Sequence, residues 1–104
     1  MNTLRIAVVG LLLGTAPAFA DVTEVWTAKC KSCHGESGKA DTAQGKKHKI
    51  EDMSTADWQA GHTDGEIKKA ITDGVADTKM KAYGDKLSAA EIDGLVKHVR
   101  ALKK

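Results

Sequence analysis

Beyond residue 20 the chain has no proline: the single proline among its 104 residues is Pro17. Aromatics make up only 4%, and there are two cysteines. No charge of one sign dominates, since 16 Lys+Arg against 14 Asp+Glu leave a formal net charge of +2. A nucleic-acid-binding domain carries a strong basic excess, so that class is excluded. No apolar run approaches the ~20 residues that cross a bilayer, and strand-like alternation is missing, which excludes a multi-span protein or an outer-membrane barrel. Low-complexity tracts are absent as well, and apolar residues recur at helical spacing, which argues against disorder.

What is present starts with a leader. Residues 1–5 are polar with one positive charge, Arg5, residues 6–13 (IAVVGLLL) are apolar, and Ala18-Phe19-Ala20 sets small residues at the two positions that signal peptidase inspects. The pattern predicts a signal peptide over 1–20, cleaved before Asp21, and a single domain over 21–104. An uncleaved anchor is the alternative, but the apolar run is short and Pro17 interrupts its end. Export places the domain in the periplasm and its two cysteines in an oxidising compartment. A domain this small has a marginal core unless something else supplies apolar surface.

The cysteines stand in Cys30-Lys31-Ser32-Cys33-His34, a CxxCH pattern. A disulfide across so short a loop would stabilise little and leaves His34 without a role. A thioredoxin-like pair needs a preceding strand inside a strand–helix alternation, and none is apparent. Zinc needs four ligands, whereas His48, His62 and His98 are scattered singly. Attachment of a c-type haem accounts for every residue of the motif: the two thiols form thioethers with the porphyrin vinyl groups, and His34 becomes the proximal axial ligand.

Periodicity and capping signals predict helices over 21–33 (Val22, Val25, Trp26 on one face), over a short stretch carrying Trp58 between a Ser54 cap and Gly61, over 64–73 behind a Thr63/Glu66 capping box with Ile67, Ala70 and Ile71 buried, and over a last segment behind Ser88/Glu91 with Ile92, Leu95, Val96, Val99 and Leu102 inward. Gly74 is the expected stop of the third. Residues 35–49 and 75–87 lack a periodic apolar face and read as long loops, which are unusual in a compact domain unless functional or packed on something. A haem would be that something, adding the apolar faces that Trp26, Trp58 and Tyr83 alone cannot provide.

Function then turns on the group facing His34. Met80 lies in the aperiodic segment between Lys79 and Lys81, far along the chain from His34, so it can fold over the opposite haem face. Its neutral thioether would favour ferrous iron and raise the potential. Met53 is the other methionine of the domain and is expected to pack beside the haem edge. Any of His48, His62 or His98 would give bis-histidine ligation, and a sixth position left open would make a haem enzyme or gas sensor instead of a carrier.

On these residues the chain resembles the small single-haem class I cytochromes c of bacteria over 21–104. The match comprises Trp26 four residues before Cys30, Cys30-Lys31-Ser32-Cys33-His34-Gly35, the 74–83 segment around Met80, and the run 84–92 leading into the last helix. The resemblance implies an all-α fold of three to four helices around one covalently attached haem c, with first and last helices crossing. It also implies His34/Met80 ligation of the iron and the role of a soluble, monomeric periplasmic electron shuttle of the respiratory chain, not an enzyme. Its donor would be a membrane cytochrome bc-type complex or a dehydrogenase, and its acceptor a terminal oxidase or reductase.

The sequence departs from the family where Lys81, not proline, follows Met80, and where no proline lies on the histidine side. A backbone carbonyl in 35–49 is still expected to orient the His34 ring. His98 takes a commonly aromatic position and is expected to pack on Trp26. Trp58 and Thr78 are candidate donors to a haem propionate, with core filling as the alternative for Trp58. Lys31, Lys79, Lys81 and Lys86 flank the segments that would border an exposed haem edge, either as a ring steering acidic partners or as an ordinary solvated face.

Overall fold

The computed structural model describes residues 21–103; the signal-peptide reading of 1–20 lies outside the described residues. Among the described residues there are helices and no strands. None of those helices is long and apolar enough to cross a membrane.

The N-terminal helical run has three consecutive parts: α1 (Val22–Val25), a π-helical stretch (Trp26–Cys30) and α2 (Lys31–His34). Asp21 caps it, its carboxylate accepting from Thr23 N–H at 2.7 Å. The helix is where periodicity placed it, with Val25 and Trp26 buried. The π stretch leaves no mark in the apolar spacing, and such stretches recur at functional sites. Gly35, at φ 81°, ends the run with its N–H on Lys31 O.

The segment 35–49 is not the uninterrupted loop that its composition suggests. It contains α3 (Ala43–Lys47), whose first turn is capped by Thr42 accepting from Gly45 N–H at 2.9 Å. Five residues without an apolar face give periodicity nothing to detect, so Thr42 is the only available signal. The next cap also moves by one residue. α4 (Ala56–Gly61) is capped by Thr55, while Ser54 turns back to Asp52, donating Oγ–H and N–H to the same carboxylate oxygen at 2.6 and 2.8 Å.

The two later helices follow their capping boxes. In α5 (Asp64–Asp73), Thr63 and Glu66 exchange both hydrogen bonds at 3.0 and 3.1 Å, Ile67 and Ile71 are buried, and Gly74 closes the helix at φ 71°. In α6 (Ala89–Ala101), Ser88 and Glu91 do the same at 2.9 and 3.1 Å, and Ile92, Leu95, Val96 and Val99 are buried. Residues 75–87 carry no helix, as expected from their lack of period.

The first and last helical elements meet face to face. A Cβ on Gly94 would collide with Val22 Cγ2, so any larger residue there requires the Val22 side chain to move. One turn on, the Trp26 and His98 rings lie 4.6 Å apart, which places His98 against Trp26 as the sequence suggested. Buried Gln59 ties α4 to α6: its amide donates to Met53 O at 2.7 Å and Val99 O at 2.9 Å, while Arg100 donates back to Gln59 O and Oε1 at 2.8 and 3.0 Å. Arg100 also reaches His62 O and Asp64, so the α4–α5 corner is held by one guanidinium.

Burial pushes the His98 imidazole below its ordinary value of 6.5, and its Nε2 is buried without a hydrogen-bond partner. The folded protein therefore binds fewer protons at this site than the unfolded chain, and the corresponding stability is lost as pH falls from about 6.5 through the folded-state value. His98→Phe keeps a ring on Trp26 and removes the titration. Its thermal midpoint is expected to fall less between pH 7 and pH 5 than that of the wild type, measured by circular dichroism at both pH values.

Candidate functional site

The N-terminal run, the 48–53 stretch, α4, α5 and the 75–87 loop surround one cavity of about 590 Å³, within the ~300–1,000 Å³ of cofactor-sized pockets. Cys30, Cys33 and His34 line it from the motif, Met80 from the loop, and Ile67 and Ile71 from the buried face of α5. The apolar stripe of a helix, two thiols, an imidazole and a thioether thus share one space. Residues distant in the chain meet there because both aperiodic segments fold over it.

The Met80 loop is positioned by its return to α5. Val75 N–H donates to Met80 O at 3.1 Å, Tyr83 N–H to Ile71 O at 2.8 Å, and Gly84 N–H to Thr72 O at 3.0 Å. Gly74 is required for this closure: a Cβ there would lie 2.8–2.9 Å from Met80 O, Lys81 C and Ala82 N. Tyr83, also lining the cavity, donates its hydroxyl toward Lys29 O at 3.4 Å and links loop to motif helix.

On the motif side, burial pushes the Cys30 thiol up to about 11 and lowers His34 from its ordinary 6.5. The cavity therefore presents a protonated thiol and a neutral imidazole with a lone pair. His34 Nδ1 is buried with no hydrogen-bond partner. The carbonyl expected from 35–49 does not reach it; that segment instead grips the neighbouring residue, Thr42 donating its hydroxyl to Cys33 O at 2.9 Å. Trp26 flanks the His34 ring at 6.0 Å and donates its indole N–H to Gly35 O at 3.1 Å.

Of the alternative ligands, Met53, His48 and His62 also line the cavity, whereas His98 does not. Met53 is 8% exposed, sits in the core cluster, and has its backbone pinned by Gly38 O and by Gln59. His48 Nε2 lies 3.1 Å from Gln44 Oε1, and His62 stacks on Trp58 at 4.3 Å. Among the described residues no three or more His, Cys, Asp or Glu side chains come together as a metal-binding group.

The two candidate propionate donors are both engaged within the protein. Trp58 donates its indole N–H to Glu51 at 3.3 Å, and Thr78 donates its hydroxyl to Val75 O at 2.8 Å while accepting from Met80 N–H at 3.1 Å. Thr78 thereby shapes the turn beside Met80. Of the four flanking lysines, Lys79 and Lys81 line the cavity, Lys31 pairs with Glu36 at 3.3 Å, and Lys86 lies over the Tyr83 ring at 5.9 Å. Lys29 and Lys49, which sequence reasoning did not single out, line it too.

The donor set fits a covalently held haem: thiols for attachment, a neutral imidazole and a thioether for iron, and apolar walls. Comparison with known proteins points the same way. Residues 17–99 match the family model described as cytochrome c oxidase, cbb3-type, subunit III. The cbb3-type cytochrome c oxidase subunit FixP of Azorhizobium caulinodans is 32% identical over 93 residues, which is 89% of this chain and 30% of that protein. The chain thus spans under a third of that relative. Among solved structures, the KustC0563 c-type cytochrome is similar with a TM-score of 0.75 and 32% identity, covering 82% of this chain and 100% of that one. A tyrosine-to-phenylalanine mutant of Kustc0563 gives 0.72 and 31%, with 81% and 100% covered.

Proposed function

Because the chain belongs to the cbb3-type cytochrome c oxidase subunit III family, a c-type cytochrome domain that carries covalent haem c for electron transfer, we propose that it is an exported single-haem electron carrier with His34 and Met80 as axial ligands. The observation that carries this reading is the meeting of Cys30, Cys33, His34 and Met80 on one cavity. When bound, the haem supplies an iron that exchanges one electron between ferric and ferrous states.

The chain's own residues set the conditions for that exchange. Cys30 and Cys33 would hold the ring through thioethers, so that the cofactor would not be lost by dilution after export. His34 would hold the iron through its other ring nitrogen, since its Nδ1 is buried within the protein. Met80 contributes a neutral, soft sulfur that favours the reduced form. Ile67, Ile71 and Leu95 keep water from the apolar part of the site. If His34 and Met80 both held the iron, no position would be left for a substrate, which is the sense in which the chain would be a carrier and not an enzyme. The leader over 1–20 directs it to the periplasm. The name of its relative FixP supports an acceptor of the terminal-oxidase type, with a bc-type complex or a dehydrogenase as donor.

Expression in a host with haem-attachment machinery tests the reading. The wild type is expected to keep its haem on a denaturing gel, and the pyridine haemochrome of Cys30→Ala to shift to longer wavelength, as one unsaturated vinyl remains. Haem that leaves the wild-type chain on denaturation would overturn it.

A further inference from the structure

Thioethers and axial ligands account for the thiols, His34 and Met80, but not for the charges in the cavity wall. Four ammonium groups, Lys29, Lys49, Lys79 and Lys81, and two carboxylates, Glu51 and Glu66, line it. Glu66 is committed to the α5 capping box, and Glu51 accepts from Trp58.

We propose that Lys49 is the counter-ion of a haem propionate, at the end of the cavity formed by 48–51, Trp58 and His62. The assignment rests on the haem reading above and deepens it. Haem carries its vinyl groups and its two propionates on opposite halves of the ring. With the vinyls held by Cys30 and Cys33, the propionates point away from the motif helix, which removes Lys29 and Ser32 as partners. Lys79 and Lys81 flank the residue that binds over a ring face, not its edge. Thr78 and Tyr83 already donate to Val75 O and Lys29 O, which leaves 48–51 with Trp58 and His62 as the remaining charged and donor lining.

The Trp58 indole, stacked on His62 at 4.3 Å, holds the Glu51 carboxylate at 3.3 Å. Two further carboxylates brought beside Glu51 need a positive charge, since a half-enclosed anion is costly unless paired. Lys49 forms no ion pair among the described residues, so its charge is available.

The backbone of Lys49 is fixed by the end of α3. It sits at φ 53°, in the left-handed region where a long side chain is rare and glycine is the ordinary choice. Lys49 N–H on Lys46 O at 3.4 Å and Ile50 N–H on Gly45 O at 2.9 Å hold it there, just past α3. These two bonds are the Schellman end of α3, with Lys49 as its first residue past the cap, so the helix end fixes where the Lys49 backbone stands on the cavity wall.

The test uses the haem-loaded protein and two readouts, the reduction potential and the propionate bending mode in resonance Raman spectra. Removing a cation beside the haem favours the more positive, oxidised state. Lys49→Gln and Lys49→Gly should therefore lower the potential and shift the bending mode, while Lys49→Arg stays near the wild type in both. Lys49→Gly also relieves the backbone, so it should do this with an undiminished thermal midpoint, separating charge from folding. Lys79→Gln should lower the potential less and leave the mode in place. Wild-type potential and mode in both Lys49→Gln and Lys49→Gly would overturn the assignment, as would a Lys79→Gln effect equal to that of Lys49→Gln. A wild-type chain without covalent haem would instead overturn the reading on which the assignment rests.

Discussion

Gly45→Ala is expected to cost about 3 kcal/mol, a large fraction of the total stability of a small domain, which is of order 5–15 kcal/mol. A Cβ at this position would collide with Ala40 O and lie 2.7 Å from Ala40 C and 2.8 Å from Cys33 O. All three are backbone atoms, so no rotamer change relieves the clash. Ala40 is itself buried and held at φ 54°, and cannot retreat. The only escape is for α3 to lift away from the motif, which breaks the Thr42 hydroxyl bond to Cys33 O and the Ile50 N–H bond to Gly45 O. The cavity wall would open beside His34. Urea unfolding and the yield of haem-stained protein check this. Gly61→Ala serves as the control: nothing lies within 4 Å of its Cβ, so it should be neutral or gain up to about 1 kcal/mol from helix propensity.

The second large effect is functional. Met80→Ala is expected to leave iron with one protein ligand, so that the ferrous protein binds carbon monoxide readily and the potential falls by on the order of 0.2 V, a fraction of the ~0.8 V over which axial ligands tune haem. Met53→Ala should separate packing from ligation. Met53 is part of the core cluster, so its truncation should cost about 2–4 kcal/mol in the manner of other buried methionines, with the wild-type spectrum kept. A reversal, with carbon monoxide binding in Met53→Ala and not in Met80→Ala, would assign the sixth ligand to Met53. Equilibrium carbon monoxide titration of the two reduced variants distinguishes these outcomes.

The all-helical architecture was legible where local chemistry is strong. Thr63/Glu66 and Ser88/Glu91 announce α5 and α6 because a capping box pairs two side chains at fixed spacing, and the inward residues of α6 recur at helical period. The same logic missed by one residue at α4, where Ser54 and Thr55 are both competent caps and Asp52 draws Ser54 away. It missed α3 altogether, since the reason for that helix is tertiary: Gly45 packs on Ala40 and Cys33, and Thr42 bonds the motif. The π stretch left no mark in the apolar spacing, and the left-handed Lys49 follows from the Schellman end of α3, a helix that the sequence did not announce.

For the site, CxxCH was legible because its spacing encodes one chemistry. The shared cavity of Met80 with Cys30, Cys33 and His34 was legible only through the aperiodicity of 75–87. The missing carbonyl partner of His34 Nδ1 and the engagement of Trp58 by Glu51 depend on long-range placement that spacing does not carry.

The account stands on Met80 and His34 together holding one haem iron, and the absorption spectrum of the oxidised, haem-loaded wild type tests that most directly. It should be low-spin and show the weak sulfur-to-iron charge-transfer band at the red edge of the visible. A low-spin spectrum without that band would mean a nitrogen ligand in place of Met80, and a high-spin spectrum an open sixth position; either would contradict the proposed carrier site.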